Sequence, residues 1–217
     1  FILFSTTLYF LVNIDSFQNF KISFYMKTIK FTFIQAFLAC SISSIIGFLF
    51  SLVLYYSNRD QRIISSFLNF CFILPVIFIS FGSIYFYSSK GILSTLLGWL
   101  SIEYDIKIFS LTGIIYVTSY FNIAFNANFF YRKLINIPDN YLRVLQSNGV
   151  PFIKSLRLQL KNYIFSGYSS VIILTLVFCI GNFTIVYLLS GSPKLTTIEL
   201  AIYQSIIFEA DLKMAIL

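Results

Sequence analysis

The sequence predicts an all-α membrane protein, a polytopic helical bundle, on three observations. Of the 217 residues, 58% are hydrophobic and only 11% are charged, whereas a soluble domain has about a quarter of its residues charged. Several apolar stretches reach the roughly 20 residues that a helix needs to cross a bilayer core of about 30 Å. Basic residues are concentrated between particular stretches, as membrane orientation requires. These features together exclude a soluble globule.

Four stretches are long and apolar enough to be spanning helices: 31–56, 63–87, 108–131 and 163–189. Pro75 lies in the middle of the second stretch and predicts a kink, and Gly167 and Gly181 in the fourth predict close helix packing. The apolar ends, 1–12 and 214–217, are too short to span. We expect both to be helices cut by the chain ends, with a cleaved signal peptide as the alternative for the first. The chain is thus expected to be one transmembrane domain, 1–217, from a longer polypeptide.

The loops between these stretches alternate between the two sides of the membrane. On one side, loops 57–62 and 132–162 carry eight basic residues, including all five arginines, against two acids. On the other side, loops 13–30, 88–107 and 190–213 carry seven lysines against six acids. The positive-inside rule therefore favours the first side as cytoplasmic, and the net charge of +7 indicates orientation rather than nucleic-acid binding.

Two external segments have patterns of their own. Residues 91–100 (GILSTLLGWL) are apolar, too short to span and contain the single Trp, which favours a short helix at the membrane interface. Residues 196–209 have apolar side chains at helical spacing, and Thr196 or Thr197 is available as a cap. We expect a second short helix there.

Polar side chains inside the spans are the candidates for lining a substrate pathway, because such groups are costly in a bilayer unless they face a cavity or a partner. They are Gln35, Asn69, Asn122, Asn126, Asn128 and Asn182. The alternative for each is an amide that joins two helices by hydrogen bonds. The small residues between Ala39 and Gly47 predict a helix-packing face.

Most of the side chains that enzymes use are missing. The chain has no histidine, and Cys40, Cys71 and Cys179 are scattered, so no His-based metal site, paired-Cys site or Cys-His couple is expected. No Walker A pattern occurs in the sequence, so the chain is not expected to bind ATP in the usual way. Every Asp and Glu is predicted to lie in a loop, which disfavours a transporter driven by protons or sodium. We expect no catalytic residue, no metal and no cofactor.

Loop 132–162 predicts two short helices. Pro138 and Asp139 favour a helix start, and Gly149 favours its end, because glycine adopts the left-handed conformation at little cost. Pro151 then favours the start of the second helix. The second helix alternates apolar and basic residues: Phe152, Ile153, Leu156 and Leu160 with Lys154, Arg157 and Lys161. This amphipathic helix fits either a position on anionic headgroups or a docking helix for a cytoplasmic partner.

The segment 143–149 (RVLQSNG) resembles the coupling loop of the permease subunits of ATP-binding-cassette (ABC) importers. In that family the loop has Glu-Ala-Ala, three residues, Gly, nine residues and then Ile-x-Leu-Pro. Gly149 is retained, whereas the Glu position is Arg143 and the alanines are Val144 and Leu145; Gln-Leu-Lys-Asn occupies 159–162. At Arg143 the alternative to the family's acidic contact is a basic contact with an acidic groove.

The rest of the chain strengthens the resemblance. The triplet 74–76 (LPV) within a span, residues 87–100, and above all residues 193–204 (PKLTTIELAIYQ) resemble the N-terminal half of the thiamine importer permeases. The similarity extends over about residues 30 to 217. The implied fold is the MetI-like permease bundle, with about five to six transmembrane helices and a cytoplasmic coupling helix.

The resemblance implies a transport function in which this chain is not the enzyme. The permease of a bacterial inner membrane would pass thiamine or its phosphates from a periplasmic binding protein, driven by a separate cytoplasmic ATPase dimer and completed by a second permease half. Ferric iron or a polyamine is the alternative substrate, and a membrane scaffold without transport is the more distant alternative. The implied ATPase-coupling residues are Leu142, Arg143, Val144, Leu145, Gly149, Val150 and Phe152.

Overall fold

The computed structural model describes residues 22–57, 61–100, 107–159, 167–191 and 195–207. These residues form ten helices and no strand: α1 Ile22–Tyr56, α2 Gln61–Ile73, α3 Val76–Tyr87, α4 Ile92–Trp99, α5 Leu111–Ile135, α6 Asp139–Ser147, α7 Phe152–Gln159, α8 Tyr168–Ile180, α9 Phe183–Leu189 and α10 Ile198–Ile207. The all-α prediction is therefore confirmed. The two apolar ends of the chain lie outside the described residues.

The first predicted span is longer than the sequence indicated. Helix α1 has 35 residues and begins at Ile22, so Lys27 and Lys30 lie in its first turns rather than in a loop. Long basic side chains near a helix end extend their charged groups toward the interface while their stems stay apolar. The loop predicted over 13–30 therefore extended too far toward its C-terminal end.

Two predicted continuous spans are broken. Pro75 separates α2 from α3, because proline supplies no backbone N–H to continue the helical hydrogen bonds. Gly181 and Asn182 separate α8 from α9, and these two helices are bent by 43°. Gly181 therefore lies at a break, and Gly167, with a φ of +88°, precedes the first residue of α8. The expectation that both glycines lie inside a packed helix was wrong.

By length and apolarity, two of the described helical runs can cross a membrane, Met26–Tyr56 and Val76–Trp99, and the bent pair α8 and α9 would be a third. Helix α5 has 25 residues, a length of about 37 Å at 1.5 Å per residue. It is less apolar because it carries asparagine, serine and threonine at buried positions.

Helix α5 is the centre of the bundle and packs against α1, α2, α3, α8 and α9. Its contact with α1 is close because small residues face it: a Cβ at Gly47 would lie 2.6 Å from Asn126 Cβ, and Ala39 and Ser43 are fully buried. The predicted packing face on α1 is confirmed. Toward the N-terminal end of α5, Ile114 and Val117 form an apolar core with α9 and α10.

Candidate functional site

The loop predicted to couple with a partner has the predicted two-helix shape. Helix α6 ends at Ser147, Gly149 has a φ of +63°, and α7 begins at Phe152 after Pro151. The Val150 N–H donates to the Leu145 carbonyl at 3.1 Å, which is the hydrogen bond of a helix end closed by a left-handed glycine. The angle between the two helices is therefore set at Gly149.

Both helices of this segment have exposed side chains. Val144 is 56% exposed and Ile153 is 80% exposed, and Arg143, Lys154 and Arg157 are exposed beside them. Leu145 and Val150 are partly buried. The side chains of Leu142 and Phe152, which were predicted to take part, lie outside the described ones. An exposed apolar residue with basic neighbours suits a protein surface or a headgroup layer.

The amides at 35, 122 and 126, which were predicted to line a pathway, are buried and hydrogen-bonded within the bundle. Gln35 of α1 is fully buried, and its Nε2 donates to the Cys179 carbonyl of α8 at 3.0 Å. Asn126 is fully buried and its Oδ1 accepts from Thr175 at 3.3 Å and Ser44 at 3.5 Å. Asn122 Nδ2 donates to the Thr118 carbonyl at 2.9 Å. These three side chains lie between α1, α5 and α8, so a pathway role for them stays a prediction.

Asn69 takes part in a second polar chain, nearer the C-terminal end of α5. Asn128 Nδ2 donates to Asn69 Oδ1 at 2.6 Å, and Arg132 Nε donates to Asn128 Oδ1 at 3.2 Å. The three residues link α2 to the end of α5. Asn69 and Asn128 are half-buried, so they lie closer to a surface than the three buried amides described above. Their place in a pathway also stays a prediction.

Asn182 belongs to a polar group at the break between α8 and α9. Its Nδ2, Thr197 Oγ1 and Glu199 Oε2 are buried and have no hydrogen-bond partner among the described residues. A Cβ at Gly181 would lie 3.8 Å from Glu199 Oε1. Burial raises the pKa of the Glu199 carboxyl above its ordinary value. Glu199 is in the first turn of α10, the short helix predicted within loop 190–213.

The start of α10 has a hydrogen-bond partner that the sequence did not indicate. The Ile198 N–H donates to Thr32 Oγ1 of α1 at 3.1 Å, so a side chain far along the sequence caps this helix. Thr196 and Thr197 are buried, and the Thr197 hydroxyl has no hydrogen-bond partner among the described residues, so Thr197 is not the side-chain cap that local spacing allowed. The external segment is thereby attached to α1.

Helix α5 has an aromatic face that was not predicted from the sequence. Three grooves, of about 490, 300 and 490 Å³, run beside this helix, and Tyr120 lines all three. Tyr116 lines two of them, and its hydroxyl is 2.5 Å from that of Tyr87 on α3. Two tyrosines four residues apart within a span were the available signal, because tyrosine normally lies at the membrane interface.

The fold is that of an ABC transporter permease. The structure matches a chain in the crystal structure of a bacterial ABC transporter involved in the import of the acidic polysaccharide alginate, with a TM-score of 0.71 over 99% of this chain and 86% of that one, at 14% identity. The predicted permease fold is therefore confirmed, and the apolar helices support a membrane location.

Among the permeases, this chain is similar to one part of the thiamine transport system permease protein ThiP. It is 31% identical to ThiP of Haemophilus influenzae over 194 residues, which are 87% of this chain and 35% of that protein. It is 29% identical to ThiP of Escherichia coli over 192 residues, with the same coverage, and 25% identical to ThiP of Brucella abortus over 199 residues. The chain thus spans about a third of the length of these relatives. No family model matches it.

Proposed function

We propose that this chain is part of the permease of an ABC importer in a bacterial inner membrane, and that it passes thiamine or a thiamine phosphate. The substrate would arrive on a periplasmic binding protein, a cytoplasmic ATPase dimer would drive the transport cycle, and a second permease half would complete the pathway. ATP hydrolysis would then belong to the partner and not to this chain. The choice of thiamine depends on the similarity to thiamine permeases.

The observation that carries the proposal is the two-helix segment formed by α6 and α7. A lipid-resting helix needs an apolar face toward the membrane and no defined angle to its neighbour. Here Gly149 fixes an angle between two helices, and Val144 and Ile153 leave apolar surface exposed on both. Such a rigid, bent surface suits insertion into a cleft of a protein partner, which is how we expect α6 and α7 to contact the ATPase.

The coupling role is tested by a matched pair of substitutions at Gly149. Among the described residues, no atom lies within 4 Å of a Cβ at this position, so the two variants are compared chiefly by their backbone preference. Gly149→Val places a β-branched residue at positive φ, which costs about 1–2 kcal/mol, whereas asparagine adopts this conformation more readily. Gly149→Val is expected to uncouple thiamine uptake from ATP hydrolysis, and Gly149→Asn to retain coupling.

The measurement uses the complete permease with its ATPase and binding protein in proteoliposomes. Uptake of labelled thiamine and the rate of ATP hydrolysis are recorded together. Equal coupling in the valine and asparagine variants would contradict the role given to α6 and α7. Uptake of ferric iron or a polyamine in place of thiamine by the unchanged complex would contradict the proposed substrate while leaving the coupling role in place.

A further inference from the structure

Tyr120 has an unusual position for a tyrosine in a membrane helix. It lies nine residues into α5, about 14 Å from the helix start at 1.5 Å per residue, which is near the middle of a bilayer core. Its side chain is 57% exposed, and no described residue makes a hydrogen bond with its hydroxyl. A phenol facing hydrocarbon at this depth would lose its hydrogen bonds to water. The Tyr120 face of α5 is therefore suited to a wet or protein-lined route rather than to lipid.

Three grooves share Tyr120 as a lining residue. The first groove, near the outer end, is lined by Ser83 and Tyr87 of α3 together with Tyr116 and Tyr120. The second groove begins at the same Tyr120 and continues toward α2 along Cys71 and the other residues of that helix. Leu74, beside the break between α2 and α3, lines both. Tyr120 thus stands where the outer and inner grooves meet.

The lining chemistry selects the kind of solute. Every described residue that lines the three grooves is uncharged, and the polar side chains among them are mostly hydroxyl-bearing. A compact metal ion or a polyamine would have to shed its hydration without a carboxylate to replace it, and a free phosphate would meet no basic group. An aromatic organic cation spreads its charge over a ring, so aromatic faces stabilise it by stacking and cation–π attraction.

Of Tyr87, Tyr116 and Tyr120, only Tyr120 has a ring and a hydroxyl without a partner among the described residues. The rings of Tyr87 and Tyr116 are edge to face, with centroids 5.1 Å apart and planes at 76°, and their hydroxyls are hydrogen-bonded to each other. This pair holds the Tyr116 ring in place between the first groove and α3. The Tyr120 ring, one helical turn deeper, has no ring partner among the described aromatic pairs.

We propose that Tyr120 is a substrate-contacting residue of the translocation route, and that with Tyr116 and Tyr87 it forms an aromatic stripe for an aromatic organic cation such as the thiazolium of thiamine. This inference rests on the proposed function, because it takes thiamine as the transported solute. It places the substrate contact on tyrosines rather than on the buried amides.

The test compares substitutions at position 120 in the complete transporter, with labelled thiamine as the solute. Tyr120→Leu removes the ring and is expected to raise the KM for uptake by about 3- to 30-fold, the range that one cation–π contact supports. Tyr120→Phe keeps the ring and should stay within about threefold of the parent. Phenylalanines with increasing numbers of fluorine atoms should raise KM stepwise, since fluorine withdraws the electron density that attracts the cation.

A matched control is available on α3. Tyr85 is 68% exposed and lines none of the three grooves, so Tyr85→Leu should leave the KM unchanged. Because Tyr120 is more than half exposed, its truncation leaves no buried void, and the thermal unfolding midpoint of Tyr120→Leu should match that of the parent. ATP hydrolysis stimulated by the binding protein should also be retained.

The outcomes separate this inference from the proposed function. If the parent complex takes up thiamine and Tyr120→Leu has the same KM, the aromatic stripe is refuted while thiamine transport stands. If KM rises for Tyr120→Leu but does not change with the number of fluorine atoms on the ring, the cation–π contact is refuted. If the parent complex does not take up thiamine at all, the proposed function fails, and the inference that rests on it is withdrawn with it.

Discussion

Replacement of Gly47 by alanine measures how closely α1 and α5 approach each other. The new Cβ would lie 2.6 Å from Asn126 Cβ, 3.0 Å from Ala127 N and 3.1 Å from Ile123 O. Carbon atoms in contact are about 3.5–4.0 Å apart, so the two helices would have to separate by about 1 Å. Two of the three atoms are backbone, and no change of rotamer relieves them.

The expected cost follows from these distances. Overpacking against fixed atoms costs about 3 kcal/mol at the upper end of its usual range, and the better helix propensity of alanine returns about 1 kcal/mol. We expect a net loss of about 2 kcal/mol. For a chain of this size, that loss corresponds to a thermal unfolding midpoint about 4–8 °C lower in detergent.

The control is Gly98→Ala in α4. No atom lies within 4 Å of a Cβ at Gly98, so only the gain in helix propensity remains, about 0.5–1 kcal/mol. Relative to the parent, the thermal unfolding midpoint should fall for Gly47→Ala and rise for Gly98→Ala. An unfolding midpoint for Gly47→Ala equal to or above that of the parent would refute the close approach of α1 and α5.

Two further predictions concern Glu199 and the start of α5. Burial raises the pKa of Glu199 above its ordinary value of 4.5, so the folded chain keeps this proton more tightly than the unfolded chain, and stability should fall as pH rises from 4.5 through the raised pKa. Glu199→Gln should remove that part of the pH dependence of the unfolding midpoint, and an unchanged pH profile would contradict it. Ser110 Oγ accepts from the Gly113 N–H at 3.3 Å, so Ser110→Ala should cost about 1 kcal/mol. The exposed Ser57 bonds only within its own turn, and Ser57→Ala should change stability little by comparison; equal losses would contradict the cap.

Local chemistry explains the features that were predictable from the sequence. The ends of α6 and α7 follow from a proline before each helix and a glycine between them, and all three act through their own backbone. The packing face of α1 was predictable because Gly47 and its small neighbours allow helices to approach whatever their partner is.

Features that depend on distant partners were not predictable. The Thr32 hydroxyl caps α10 from 166 positions away, and no spacing rule within 196–209 indicates it. The buried amides Gln35 and Asn126 could equally face a cavity or a helix until their neighbours on α8 are known. Tyr120 was overlooked because the search for pathway residues considered amides and charges, whereas the exposed polar group at mid-span is a phenol.

The break at Pro75 has a mechanical consequence. Helix α2 packs on α5, whereas α3 packs on α9 as well as on α5, and Pro75 supplies no N–H to join the two half-helices. Bending at this point therefore breaks no additional backbone hydrogen bond, and α2 can tilt while α3 stays in place. Leu74, beside the break, lines both the outer and the inner groove. A single low-cost joint thus allows one end of the route to widen without the other.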